Sequence, residues 1–134
     1  MRTKDHLSLK LAAEPENVAV VRLAVATRAS ELGMSDAGVT DLKTAVSEAC
    51  ANVVRHAYPA DAAEKPLEVS LDREGEMLSV AVRDRGHGVR PSPEAEPGAR
   101  LGLLLIGALA HCFLLRSYRG RGTELLVQFA LSPG

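Results

Sequence analysis

Two short runs of alternating apolar residues, Leu67/Val69/Leu71 and Leu78/Val80/Val82, lie on either side of Arg73-Glu74-Gly75-Glu76. Apolar side chains at every second position put one face of a strand in a core and leave the other to polar neighbours. A connection this short, with a glycine in it, joins antiparallel neighbours, so the chain must fold around a hairpin with one apolar face. Leu7, Leu9 and Leu11 alternate in the same way, and Phe113-Leu114-Leu115 and Leu125 to Leu131 read as two further strands flanking Arg119-Gly120-Arg121-Gly122.

Segments of helical period supply the cover for that face. Pro15 suits a first helical turn, and Val18, Val21, Val25, Ala29 and Leu32 recur at helical spacing until Gly33. Ser35 caps a second helix with the stripe Val39, Leu42, Val46, Ala49 and Val53, ending near Tyr58-Pro59. Leu101 to Ala110 reads as a third, buried helix. Residues 60–66 form a polar loop, and residues 85–100 are an unstructured stretch long enough to mark a functional loop or lid. The order β-α-α-β-β-loop-α-β-β predicts an α+β fold: a two-layer sandwich with a mixed, mainly antiparallel sheet and helices on one face. Its length of 134 residues, without repeats or a linker, fits one domain over residues 1–134.

Charge and composition narrow the function classes. Lys and Arg total 16 against 17 Asp and Glu, which excludes a globally basic nucleic-acid binder. Aromatic residues are only 3%, too few for a base-stacking platform. The longest strongly apolar run, Leu101 to Leu115, is broken by Gly102, Gly107 and His111 and falls short of the roughly 20 residues that span a bilayer. The N-terminal residues lead into an alternating strand, not a signal-peptide core. Cys50 and Cys112 sit in apolar contexts and are expected as two buried free thiols, and His6, His56, His87 and His111 have no metal-ligand spacing with them. The expectation is a soluble, cytoplasmic chain with no direct nucleic-acid or membrane partner and no metal beyond what a ligand brings. The near-zero charge total is uneven along the chain. Residues 1–82 carry 9 basic and 13 acidic side chains, whereas residues 83–121 carry 7 basic and 3 acidic.

Four features carry candidate chemistry. Glu48, Asn52 and His56 are spaced by four on the second helix, at the flank of its buried stripe. There they either line a cleft or form a solvated polar face. Asp84-Arg85-Gly86-His87-Gly88 follows a strand directly. A carboxylate there can accept a hydrogen bond from an exocyclic amine, and the glycines admit close approach of a ligand, although an ordinary turn uses the same residues. Gly98-Ala99-Arg100-Leu101-Gly102-Leu103 enters the third helix, either as a phosphate site of backbone N–H groups with an arginine or as a loop exit packed closely at Gly102. Gly122-Thr123 opens the last strand, its hydroxyl supporting a ligand or finishing a turn.

In this order the four motifs resemble the GHKL ATPase superfamily with its Bergerat fold, and within it the bacterial anti-sigma-factor serine/threonine kinases. The stretch from Asp41 to Tyr58 is similar to their helix almost throughout, as are Val82-Arg83-Asp84-Arg85-Gly86 and Leu101-Gly102-Leu103-Leu104-Leu105-Ile106. The resemblance covers about residues 5 to 131. It implies that Asn52 coordinates Mg²⁺ on the ATP phosphates and that Glu48 is the general base for a serine hydroxyl. Asp84 then receives the adenine amine with Thr123 nearby through water, and Gly86 and Gly88 shape the wall. Residues 89–101 form the ATP lid, Gly102 and Leu103 stand at its exit, and His56 packs beside it. The chain departs from the family at Arg100, which replaces a glycine, and at His87, where proline is common. Arg100 either stiffens the lid and weakens nucleotide binding or sets a cation on the β- or γ-phosphate. The implied partners are a sigma factor, a STAS-domain anti-anti-sigma protein phosphorylated on serine, and a second copy of the chain in a homodimer. The alternatives are a nucleotide-binding regulatory module that binds a protein without phosphotransfer, and an interaction domain of this shape that binds no nucleotide.

Overall fold

The computed structural model describes residues 5–86, 97–118 and 121–131, with residues 97–100 described by their backbone alone. Strand β1 (His6–Ala12) is followed by helices α1 (Pro15–Glu31) and α2 (Asp36–Asn52), the latter continuing into a π-helical turn (Val53–Ala57). Then come β2 (Pro66–Glu74), β3 (Met77–Asp84), α3 (Pro97–Leu109), β4 (Cys112–Tyr118) and β5 (Gly122–Ala130). The strands form one sheet in the order β1-β2-β3-β5-β4. Every described pairing is antiparallel, so the expected mixed sheet is antiparallel throughout its described strands.

The alternation fixes the register. Leu9 pairs with Val69, Val69 with Val82, Val82 with Leu125, and Leu125 with Leu115. One apolar row therefore crosses all five strands, and a slip of one residue anywhere would turn a strand's apolar set away from the core. The hairpin between β2 and β3 closes with Glu74 opposite Met77, and Gly75 takes φ +60° as first residue of the two-residue loop, a conformation that favours glycine.

Helices cover one face of this sheet. Pro15 starts α1, and the Ser35 hydroxyl accepts the Gly38 N–H at 3.1 Å to cap α2. Val21 and Val25 of α1, Leu42 and Val46 of α2, and Leu67, Leu71, Leu78 and Val80 of the sheet are fully buried together. The opposite face carries ion pairs: Glu68 pairs with Lys10 at 3.6 Å and with Arg85 at 3.3 Å, and Glu124 pairs with Arg83 and Arg116. Such exposed pairs add little stability, but they suit a face that stays wet.

Three expectations change. The third helix begins at Pro97 rather than Leu101, because proline is well suited to a first turn. Nor is it buried throughout: among its described residues Gly102 and Ile106 are fully covered and Leu103 and Leu109 half-buried against the core, while Leu101 and Leu104 are about two-thirds exposed, at 67% and 66%. Its apolar composition exceeds what one covered side can hide. Cys50 is buried as expected, and burial pushes its thiol up to about 12, but Cys112 is exposed. Cys112 opens the edge strand β4, and its thiol donates to the Gln128 side-chain oxygen at 3.0 Å.

Candidate active site

The site is built where α2 ends and where β3 and β5 meet. Asp84 is the last residue of β3 and pairs across the sheet with Thr123, the second residue of β5. Its side chain continues the inward set of Leu78, Val80 and Val82, so the register carries a carboxylate to the edge of the core. Asp84 is 7% exposed and Thr123 8%. The carboxylate accepts the Gly86 N–H at 2.9 Å and is also hydrogen-bonded by the Thr123 backbone. Burial raises the Asp84 pKa, and the two backbone donors offset part of that rise.

A narrow pocket, partly open to solvent, lies between these strand ends and α2. Asn52, Asp84, Leu103 and Thr123 line it, with Val53, Val82, Leu115 and Leu125 as apolar walls. His56 also lines it, from within the π-helical turn. A mainly apolar slot with one carboxylate at its end suits a nitrogenous ring that carries an amine.

Glu48 and Asn52 are one turn apart at the end of α2, and α3 crosses them at Gly102. A Cβ added to Gly102 would lie 3.1 Å from Glu48 Oε2 and 3.3 Å from Asn52 Nδ2. The glycine is therefore the point at which a helix backbone can approach both side chains. Among the described residues, Asn52 Oδ1 is buried with no hydrogen-bond partner. A buried amide oxygen left without a donor is costly, and it is a suitable ligand for a hard cation. Glu48 does not line the Asn52–Asp84 pocket. It borders a shallow groove on the helix side, with Arg22, Thr40, Lys43, Thr44 and Ser47.

The structure thus gathers Asn52, Asp84, Leu103 and Thr123 around one pocket and Glu48, Asn52 and Gly102 at one helix crossing. Gly86 sits beside them, pressed against the π-helical turn: a Cβ there would fall 1.9 Å from the Ala57 carbonyl oxygen. Gly88 and most of the expected lid over residues 89–101 lie outside the described residues, as does the side chain of Arg100. Tyr58, read from the sequence only as the end of a helix and of a matched stretch, reaches this site through a hydroxyl that bonds to backbone atoms and so leaves no side-chain partner to look for.

Residues 11–129 match the family described as the histidine kinase-like ATPase domain. The chain belongs to this family. Among relatives of this ATPase domain is the serine-protein kinase RsbW of Bacillus licheniformis, 40% identical over 85 residues, which are 63% of this chain and 53% of the relative. RsbW of Bacillus subtilis is 44% identical over 85 residues, covering 61% of this chain and 51% of the relative. The chain spans about half the length of these curated relatives. Among solved structures, the RsbU and RsbW domains of Rv1364c from Mycobacterium tuberculosis share the fold, with a TM-score of 0.75 over 94% of this chain and 32% of that one, at 24% identity. The histidine kinase domain from Erythrobacter litoralis EL346 aligns with a TM-score of 0.60 over 85% of this chain and 61% of that one, at 20% identity. Among the described residues of the ATPase domain, no helix is long and apolar enough to cross a membrane.

Proposed function

We propose that this ATPase domain is an anti-sigma factor with ATP-dependent protein-serine kinase activity. It binds a sigma factor and phosphorylates a STAS-domain anti-anti-sigma protein, acts as a homodimer and works in the cytoplasm. The observation that carries the reading is the pairing of two neighbouring sites through α2: a slot ending in Asp84 on one side of Asn52, and Glu48 facing a groove on the other. The RsbW names of relatives at 40% and 44% identity support the same activity.

In this reading the adenine amine donates to the Asp84 carboxylate, with Thr123 beside it and Gly86 forming the wall. Mg²⁺ fits the orphaned Asn52 oxygen. Among the described residues no cluster of three acidic, histidine or cysteine side chains could hold a metal by itself. An ion that prefers one protein oxygen together with phosphate and water therefore suits this place. When bound, it neutralises phosphate charge. Gly102 and Leu103, just beyond Arg100 in α3, bring that helix's backbone against Asn52, on the side where the phosphates lie in this reading. Glu48 takes the proton of a serine hydroxyl presented from the groove. The serine oxygen then bonds to the γ-phosphorus as its bond to the ADP oxygen breaks.

The test is transfer of radiolabelled γ-phosphate from ATP to the STAS protein encoded nearest to this chain's gene. Phosphoserine on that protein, lost with Glu48→Ala, is the expected result. ATP binding without transfer to any cognate STAS protein would replace the kinase reading by the nucleotide-binding regulatory module. The absence of any thermal shift with millimolar Mg-ATP would end both, since ligand at 100 times Kd adds roughly 2.7 kcal/mol.

A further inference from the structure

The Tyr58 hydroxyl joins three parts of the chain. It donates to the Pro66 carbonyl at the start of β2 and accepts the Arg85 N–H at 2.8 Å, one residue beyond Asp84. The last pair in the β2–β3 register is Leu67 with Asp84. One step further along, Pro66 faces Arg85, and the backbone bond due there is Arg85 N–H to Pro66 carbonyl. The Tyr58 hydroxyl stands between that donor and that acceptor, with one hydrogen bond accepted and one donated. The hydroxyl thus takes the place of that backbone bond one residue beyond Asp84, whose side chain lines the pocket. Ala57 fixes the same turn from the other side, its carbonyl against Gly86. The whole brace belongs to the segment that follows Asn52, where π-helical geometry, often a functional feature, brings the chain close to the strand ends.

We propose that Tyr58 is a positioning residue for recognition of the nucleotide base: by replacing one ladder hydrogen bond it sets the place of the Asp84–Gly86 turn and hence the aim of the Asp84 carboxylate. The role rests on the reading of the pocket as a nucleotide site. Tyr58→Phe keeps the ring and removes only the relay, so the ladder either closes by one bond or leaves two backbone groups unpaired. Either change moves Asp84 relative to Asn52.

The experiment is calorimetric titration of the full chain with Mg-ATP and with purine riboside 5′-triphosphate, which lacks the exocyclic amine. Wild type is expected to prefer ATP by about tenfold or more, the worth of a hydrogen bond to a charged group. Tyr58→Phe is expected to weaken ATP by about five- to tenfold and the amine-free analogue by less than about twofold, so the preference narrows. An unchanged preference overturns the proposal, whether both affinities fall together, as for a merely structural residue, or neither falls. Should Tyr58→Phe not fold, 4-aminophenylalanine at position 58 serves instead, since it still donates to Pro66 but accepts poorly from Arg85. Its narrowed or unchanged preference is judged in the same way. Asp84→Asn separates the two levels of the argument. If wild type binds no nucleotide, or prefers ATP no more than Asp84→Asn does, the nucleotide reading fails and the role of Tyr58 with it. If wild type and Asp84→Asn differ but Tyr58→Phe matches wild type, only the role of Tyr58 fails.

Discussion

The two ends of the pocket are built differently. At the Asp84 end, the carboxylate is fixed by sheet register, two backbone donors and the brace from Ala57 and Tyr58. At the Glu48–Asn52 end, the groups project from the last turn of α2 and meet α3, a helix that hides only one side of its surface. Ordered strand ends hold a rigid recognition group at little reorganisation cost. Helix α3 packs on α2 at Gly102 and on β4 at Gly107, where an added Cβ would lie 2.8 Å from the Phe113 ring, and leaves its outer side in solvent. The difference suggests a division of labour, with binding geometry preset by the sheet and chemistry assembled at the helix crossing.

The largest expected effect tests the chemical end. Glu48→Ala should lower phosphotransfer by about 10²- to 10⁴-fold, the usual contribution of a general base. Mg-ATP affinity by calorimetry should stay within about twofold, because Glu48 does not line the base pocket. A variant that transferred phosphate at the wild-type rate would remove Glu48 from the mechanism.

A matched pair of glycine substitutions compares the two ends directly. In Gly86→Ala the new methyl falls 1.9 Å from the Ala57 carbonyl oxygen, a backbone atom that cannot yield. The expected cost is about 2–4 kcal/mol in urea unfolding, within the range for overpacking and displaced hydrogen bonds. In Gly102→Ala the nearest atom is a Glu48 carboxylate oxygen at 3.1 Å, the end of a flexible side chain. Its stability should stay within about 1 kcal/mol of wild type, since alanine favours the helix, while the transfer rate falls as Glu48 is displaced. Equal destabilisation by both substitutions would show the two ends to be equally rigid.

Asp84→Asn should weaken ATP by about 10- to 100-fold, as loss of a hydrogen bond to a charged group does. It should also remove a pH dependence. Burial holds the native Asp84 pKa above its ordinary value of 3.8, so between those two values the folded chain keeps a proton that the unfolded chain has lost. The Asp84 contribution to stability therefore falls as pH rises through that window and stays low above it. Urea midpoints of the nucleotide-free chain measured from pH 4 to 8 should show this fall in wild type and lack it in Asp84→Asn. The residue that recognises the amine is thus one whose ionised form is buried at some cost to the fold.

Most of the scaffold was legible because its signals are local. Alternation gave the first three strands and apolar runs on either side of Arg119-Gly120-Arg121-Gly122 the last two; Pro15 and Ser35 marked the starts of α1 and α2, and a spacing of four the shared side of Glu48 and Asn52. Asp84 was legible as a site residue because it is a carboxylate directly after a strand and before Gly86 and Gly88; the structure adds that it continues the inward set of Leu78, Val80 and Val82. The rest depends on encounters between distant segments. The π-helical turn has no local signature in Val53–Ala57, and the closeness of Ala57 to Gly86 joins residues from different layers. Exposure of Cys112 follows from its being on an edge strand, which strand order decides and composition does not.

The smallest expected effect concerns the outer side of α3. Leu104 is 66% exposed, while Ile106, two residues on, is fully buried. A leucine already in water in the native state loses little transfer free energy when it becomes polar, so Leu104→Gln should change the urea-unfolding free energy by no more than about 0.5 kcal/mol. Ile106→Ala, which empties a filled position between α3 and the core, should cost about 2–5 kcal/mol. The ratio of these two values measures how one-sided the seating of α3 is. If Leu104→Gln cost as much as Ile106→Ala, α3 would be held on both sides, and the contrast between a base end fixed in the sheet and a chemical end beside a half-exposed helix would lose its structural basis.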